Sequence, residues 1–362
     1  MSDRQQLADA FNRNIDPLKE YEQQFAAIDV DPFELFVQDV LDVENPARRT
    51  KKSYLLTVSQ WSEYMDGEGR HPACPNENHV KGFVEEELHG RNNAVGTAKK
   101  KLYELNRIYQ YWQNDAAFPH PADYNPFKIA KTKMSFSEEN TKEPPRISIE
   151  KLRKHISGIK HIRDRALVVT QLKLGLRASE MANIKLGEIS LQSGEAQRHY
   201  RGLGSSEFVE DYQNAVYIPH NRTKNKSQRP RVLPLDEEVR TLWMRYLLIR
   251  PDNGEPWLFL SHTSNSQMDD RAINEVWKRH FQPEYAETDR HKGVTSHFGR
   301  HRFTTYWIVE QGLNRELVQY MRGDTAGGGR SFRDSAAIDS YIHSYYEDIE
   351  PVYRSRMYRL DV

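Results

Sequence analysis

A single cysteine, Cys74, stands in 362 residues, so no internal disulfide can form and no group of thiols can hold zinc. Folding must rest on packing, and redox chemistry is not expected. No run of eighteen apolar residues occurs and mean hydropathy is -0.84, which excludes a helical membrane span. The opening MSDRQQLADAFNRN is too polar for a signal peptide, so the expected location is cytoplasmic. No internal repeat with a period of about 20 to 50 residues is visible, which argues against a solenoid or propeller. Net charge is also missing, since 52 Lys/Arg face 52 Asp/Glu.

What is present is charge separated along the chain. Residues 1–45 hold three Lys/Arg and eleven Asp/Glu, leaving 49 basic and 41 acidic residues after them: a segment of −8 precedes a body of +8. Two clusters concentrate that positive charge, one at Arg48, Arg49, Lys51 and Lys52, the other at Lys99, Lys100 and Lys101. Such clusters suit a phosphate backbone, although a solvated helix face produces the same pattern.

The length accommodates two domains with separate cores. Residues 1–45 pattern as an acidic accessory helical segment, with Phe33, Phe36, Val37, Val40 and Leu41 spaced to dock on the body. Residues 46–125 are helical throughout, with one stripe at Tyr54, Leu55, Val58 and Trp61 and another at Leu102, Leu105, Ile108, Tyr109 and Trp112. Residues 126–147, rich in Pro, Lys, Asn and Ser, pattern as a linker. The second domain, 148–362, is mainly α-helical with a small β hairpin. AVYIPH and PRVLPL alternate as its strands, around a turn carrying Lys224 and Lys226. Gly175, Gly312 and Gly323 pattern as helix stops, and Ser179, Ser296 and Asn314 as candidate helix caps. TAGGGRSFRD is glycine-rich but lacks the Lys-Ser/Thr ending of a nucleotide-binding loop.

Chemistry gathers on Arg177, Lys224, His297, Arg300 and Tyr341. Two guanidinium forks can hold the non-bridging oxygens of a phosphodiester, an imidazole and an ammonium can move protons, and a phenol can attack phosphorus. Three of these residues also have a plainer reading. Arg177 could pair with Glu180, Lys224 could be an ordinary hairpin lysine, and Tyr341 could belong to a core stripe with Ile338, Ile342 and Tyr345. His297 and His301 have the spacing of a zinc pair, but no glutamate lies between them and Arg300 does. No metal and no cofactor are expected.

The order of these motifs resembles the tyrosine recombinase, or phage integrase, family. GLRASEMANIKL at 175–186 is similar to the family's first-arginine box, with Arg177 and Glu180. RTKNKSQRPRVLPL at 222–235 is similar to its hairpin, where the lysine falls on Lys224, or on Lys226 when counted back from Pro234. HFGRH at 297–301 resembles the HxxR box, and YIH at 341–343 the nucleophile segment. The position usually held by histidine or tryptophan, a third phosphate contact, is Asp324, in an RGD form that resembles archaeal and archaeal-virus integrases. An aspartate there must turn away, pair with Arg322 or another cation, or be protonated.

The resemblance implies a helical core-binding domain and a catalytic domain clamped on double-stranded DNA, a 3′-phosphotyrosine intermediate, Lys224 as general acid, and a tetramer on paired DNA sites. It leaves two alternatives: strand passage like that of a type IB topoisomerase, or a DNA-binding regulator that does not cut.

Overall fold

The computed structural model describes residues 3–136, 142–324 and 335–362, with the backbone alone over 335–344. It divides into two compact units, Met1–Thr141 and Lys142–Val362.

The first unit is helical. Its acidic beginning forms α1 (Asp3–Ala10), α2 (Glu22–Ala27) and α3 (Pro32–Phe36), the last started by the Asp31 carboxylate accepting from the Phe33 amide. Then come α4 (Arg48–Gly67), α5 (Glu77–Glu85), α6 (Val95–Asn114) and α7 (Pro126–Lys133). Leu18, Phe25, Phe33, Phe36 and Leu41 enter the same core as Trp61, Tyr109 and Trp112, and Trp112 donates its indole N–H to the Pro32 carbonyl at 3.1 Å. The acidic segment is thus part of this core. The buried stripe of α4 is Tyr54, Trp61 and Met65, with Val58 half-buried; Leu55, one residue from Tyr54, is rotated about 100° around the axis and faces out.

The stretch expected to be a linker begins instead with a packed helix. Asn125 caps α7, Pro126 occupies its first turn, and Phe127 and Ala130 are buried in the first unit's core. Proline and asparagine here start a helix. Residues 137–141 lie outside the described residues.

The second unit opens with α8 (Ile149–Ser157), capped by Ser148, and then buries α9 (Ile162–Leu174) on nearly every side. Gly175 ends α9 at φ 63°, where a Cβ would meet the Phe303 ring at 2.5 Å, so both conformation and space require glycine. After α10 (Ala178–Ala182), strand β1 (Ile189–Ser190) precedes α11 (Gly194–His199). Strands β2 (Ala215–Ile218) and β3 (Arg231–Pro234) form the expected hairpin, giving an antiparallel sheet ordered β1-β2-β3 with Val216 opposite Leu233. Helices α12 (Glu237–Leu247), α13 (Asp270–Tyr285), α14 (Ser296–Thr305), α15 (Arg315–Arg322) and α16 (Ser335–Arg356) complete the unit. Helices α12 and α14 pack on α9 and α16 packs on β3. Residues after α16 fold back: Leu360 is buried and its amide donates to Glu238 at 2.9 Å. No helix among the described residues is long and apolar enough to cross a membrane.

Candidate active site

Arg177 occupies the cap position of α10 itself, where Ser179 was expected. The Glu180 carboxylate explains the shift: it accepts from the Arg177 backbone N–H at 2.8 Å and from Arg177 Nη1 at 3.1 Å. A carboxylate three residues into a helix can bond the cap amide, and this fixes both backbone and guanidinium at the turn. Glu180 also accepts from Arg231 Nη2 at 3.0 Å, and Arg300 Nη1 lies 4.0 Å away. Burial alone would raise the Glu180 pKa, yet Arg231, Arg300 and Arg177 outweigh it and hold the carboxyl below the ordinary glutamate range.

Arg300 comes from the buried face of α14. Its Nη1 donates to the carbonyls of Gly175, at 2.8 Å, and Arg322, at 3.0 Å, so the ends of α9 and α15 aim it. Burial, then the neighbouring Arg177, push its pKa down to about 9, which leaves it charged at neutral pH. The two guanidiniums converge on one atom. Asp324 Oδ1 accepts from Arg177 Nη2 at 2.7 Å and from Arg300 Nη2 at 2.8 Å, while Oδ2 lies 2.9 Å from Arg322 Nε. Of the outcomes open to Asp324, pairing with cations is the one found, and the pairing involves three arginines.

Backbone geometry dictates that placement. Asn314 caps α15, and Gly323 ends it at φ 68°, with the Asp324 N–H bonded to the Gln319 carbonyl at 2.9 Å. The Gly323 carbonyl accepts from Gln228 N at 2.9 Å, tying this end to the β2–β3 loop, and a Cβ on Gly323 would strike Arg231.

His297 lies near the start of α14, exposed at one edge, with its ring 4.6 Å from that of His301 in an edge-to-face pair. Desolvation, then His301, Arg300, Arg322 and Arg177, lower its pKa below the usual histidine value, favouring neutral imidazole. Among the described residues His297 and His301 gain no third metal-ligating side chain. The one such trio, His161, Asp164 and His262, lies elsewhere in the sequence, and Arg163 donates twice to Asp164 Oδ1.

Lys224 is exposed on the β2–β3 loop at φ 72°, and Lys226 is exposed beside it. Asn183 Nδ2 anchors that loop through the Thr223 carbonyl, at 3.0 Å, and Asn225 Oδ1, at 2.7 Å. Tyr341 lies on the α16 backbone; its side chain and that of His343 lie outside the described residues, as does the glycine-rich loop. The other two phenols of the segment are engaged. Tyr345 stacks on Tyr320 and donates to Glu316 Oε1 at 2.6 Å, and buried Tyr346 donates to Glu350 Oε1 at 3.2 Å.

In the first unit, Arg48, Arg49, Lys52, Lys99 and Lys100 are exposed, whereas Lys51 pairs with Asp42. Lys101 stands apart: it is buried and paired with Glu87 and Gln60, so its ammonium serves the fold. Sequence reasoning missed Arg231. An arginine inside the apolar strand run of PRVLPL was the available signal, because a charge there requires a buried partner.

The Phage integrase family model matches residues 147–346. The chain is 24% identical over 334 residues to the tyrosine recombinase XerD of Chlamydia pneumoniae, covering 89% of this chain and 95% of that one. It superposes on the Tn1549 transposon integrase in complex with transposon right end DNA with a TM-score of 0.59 and 18% identity, over 87% of this chain and all of that one. A lambda integrase tetramer bound to a Holliday junction gives a TM-score of 0.56 and 10% identity, over 92% of this chain and 90% of that one.

Proposed function

The chain belongs to the phage integrase family, and from that premise we propose that it is a site-specific DNA recombinase that cuts and rejoins strands through a 3′-phosphotyrosine. The observation that carries this reading is the convergence of Arg177 and Arg300 on a single carboxylate oxygen. Two preorganised guanidiniums that share one anionic oxygen can share a phosphate oxygen in the same way, and stabilise the charge that grows on it as phosphorus becomes five-coordinate.

The Tyr341 oxygen attacks phosphorus, and the bond from phosphorus to O5′ breaks. Neutral His297 accepts the phenolic proton, and Lys224 gives a proton to the departing O5′. The exposed hairpin position of Lys224 gives its side chain reach for this role. The bond to tyrosine conserves the phosphodiester, so no nucleotide hydrolysis is required. A 5′-hydroxyl from a partner duplex reverses the step.

Strand exchange needs four active sites on two duplexes, and we take a tetramer on paired sites to be the working assembly, with the cytoplasm as its location. The exposed cations Arg48, Arg49, Lys52, Lys99 and Lys100 are proposed phosphate contacts of the first unit.

The test begins with a bound duplex selected from a random pool. A nick placed to trap the cleaved strand should yield a denaturant-resistant protein–DNA adduct mapping to Tyr341. Binding without any adduct would overturn cutting and favour a regulator; relaxation of supercoils by monomer at undefined sites would favour the topoisomerase-like alternative.

A further inference from the structure

The oxygen shared by Arg177 and Arg300 belongs to the protein itself, and the geometry points to Asp324 as an internal phosphate surrogate that must leave before the scissile phosphate can enter. This rests on the recombinase reading and adds to it a competitor built into the anion seat. Asp324 Oδ1 sits where one donor from each arginine meets, at 2.7 and 2.8 Å. A phosphodiester oxygen held by the same two donors would need that position. Two anionic groups cannot share it, because like charges a few ångströms apart repel strongly in a half-buried site.

The surroundings fit a carboxylate that moves between two positions. The backbone of Asp324 is fixed by the α15 cap and by the Gln228–Gly323 bond, so displacement falls to the side chain alone. Arg322 supplies the second position. Its Nε already lies 2.9 Å from Oδ2, and its Nη1 donates to Thr304 Oγ1 at 3.0 Å, which holds the guanidinium in place. Swinging fully onto Arg322, Asp324 keeps an ion pair while it releases Arg177 and Arg300.

Charge supports the exchange. Four guanidiniums, of Arg177, Arg231, Arg300 and Arg322, surround the two carboxylates of Glu180 and Asp324, leaving two positive charges for an incoming phosphate. Glu180 cannot be the displaced group, because it is fully buried and bonded to the Arg177 backbone and to Arg231. Asp324 is therefore a positioning residue. It keeps the arginine pair aligned while the seat is empty, and it weakens the seat's hold on free anions, so that a phosphate delivered with the full DNA interface is favoured over one in solution.

The test uses the full chain and inorganic sulfate. Side-chain NMR of arginine Nε–Hε groups follows Arg177 and Arg300, while melting temperature checks the fold. Wild type should require high sulfate to shift these resonances, and Asp324→Asn should shift them at about tenfold lower sulfate or less. Asp324→Ala should behave alike, covering the case in which one variant folds poorly. Should neither fold, wild type carries the test alone: sulfate must move Arg177, Arg300 and, as Asp324 arrives, Arg322 together. Equal sulfate affinity with and without the carboxylate, or an Arg322 signal unmoved in wild type, would overturn the surrogate. The nicked-duplex adduct is scored on the same preparations. Adduct without the sulfate difference rejects this inference alone, and the sulfate difference without adduct rejects the recombinase reading alone.

Discussion

Glu180 and Arg231 form a completely buried ion pair, 3.0 Å apart, beneath the arginines that face the anion seat. Removing one partner strands the other charge, so Glu180→Ala should cost about 3–5 kcal/mol in urea unfolding. The pair also sets a pH dependence. Its surroundings depress the folded pKa of Glu180, so its stabilisation is full above the unfolded glutamate value, about 4.3, and disappears as pH falls through the folded value. Glu180→Gln should flatten the acid limb of stability; an unchanged limb would remove Glu180 as its source.

Arg177→Ala and Arg300→Lys should lower single-turnover cleavage by about two to three orders of magnitude with DNA affinity nearly unchanged. Lysine is chosen at position 300 because the buried site tolerates a cation, while the loss of the fork removes the donor to Asp324. Parallel losses in binding and cleavage would mark both as phosphate anchors only.

His297 is held below its usual pKa by desolvation and by the cations around it, so the neutral base should persist on mild acidification. The acid limb of cleavage at limiting DNA is expected below pH of about 6.5, and His297→Gln should abolish that limb. A limb that survives the substitution reports another group.

Cleavage is expected to proceed in excess EDTA, since arginine and lysine supply the charge stabilisation that a cation would otherwise give. An absolute requirement for added Mg²⁺ would contradict the assignment.

Tyr341→Phe should abolish the adduct while Tyr345→Phe and Tyr346→Phe retain it. Tyr345 lies about 6 Å further along α16, too far for both to reach one phosphorus, and the hydroxyls of Tyr345 and Tyr346 already donate to glutamates. Peptide mapping of the adduct to either neighbour in the Tyr341 variant decides against Tyr341.

The lysine cluster should split. Replacing Lys99 and Lys100 with alanine should reduce the log–log salt dependence of DNA binding by up to about two. Lys101→Ala should instead destabilise the first unit, because it strips buried Glu87 of its nearer cation and leaves only Arg91, 3.4 Å away. A salt slope indifferent to Lys99 and Lys100 takes α6 out of the interface.

Local physics made much of this protein legible in its sequence. The stops at Gly175 and Gly323, the cap at Asn314, the β2–β3 hairpin and the α6 stripe depend on neighbours a few residues apart, where backbone sterics and side-chain period decide. Helical spacing likewise put His297 and Arg300 on one helix, as in α14, but the cap of α10 fell on Arg177 and not on Ser179. Only tertiary structure decided what those groups touch. Arg177 and Asp324 are 147 residues apart, and Arg231 and Glu180 are 51 apart. The same holds for the burial of Lys101, the outward turn of Leu55 and the packing of α7, which follow from which surfaces the core closes over. A carboxylate's sequence neighbours do not say which cations it will meet. Three helix ends and a hairpin brought together here make Asp324 the occupant of an anion seat.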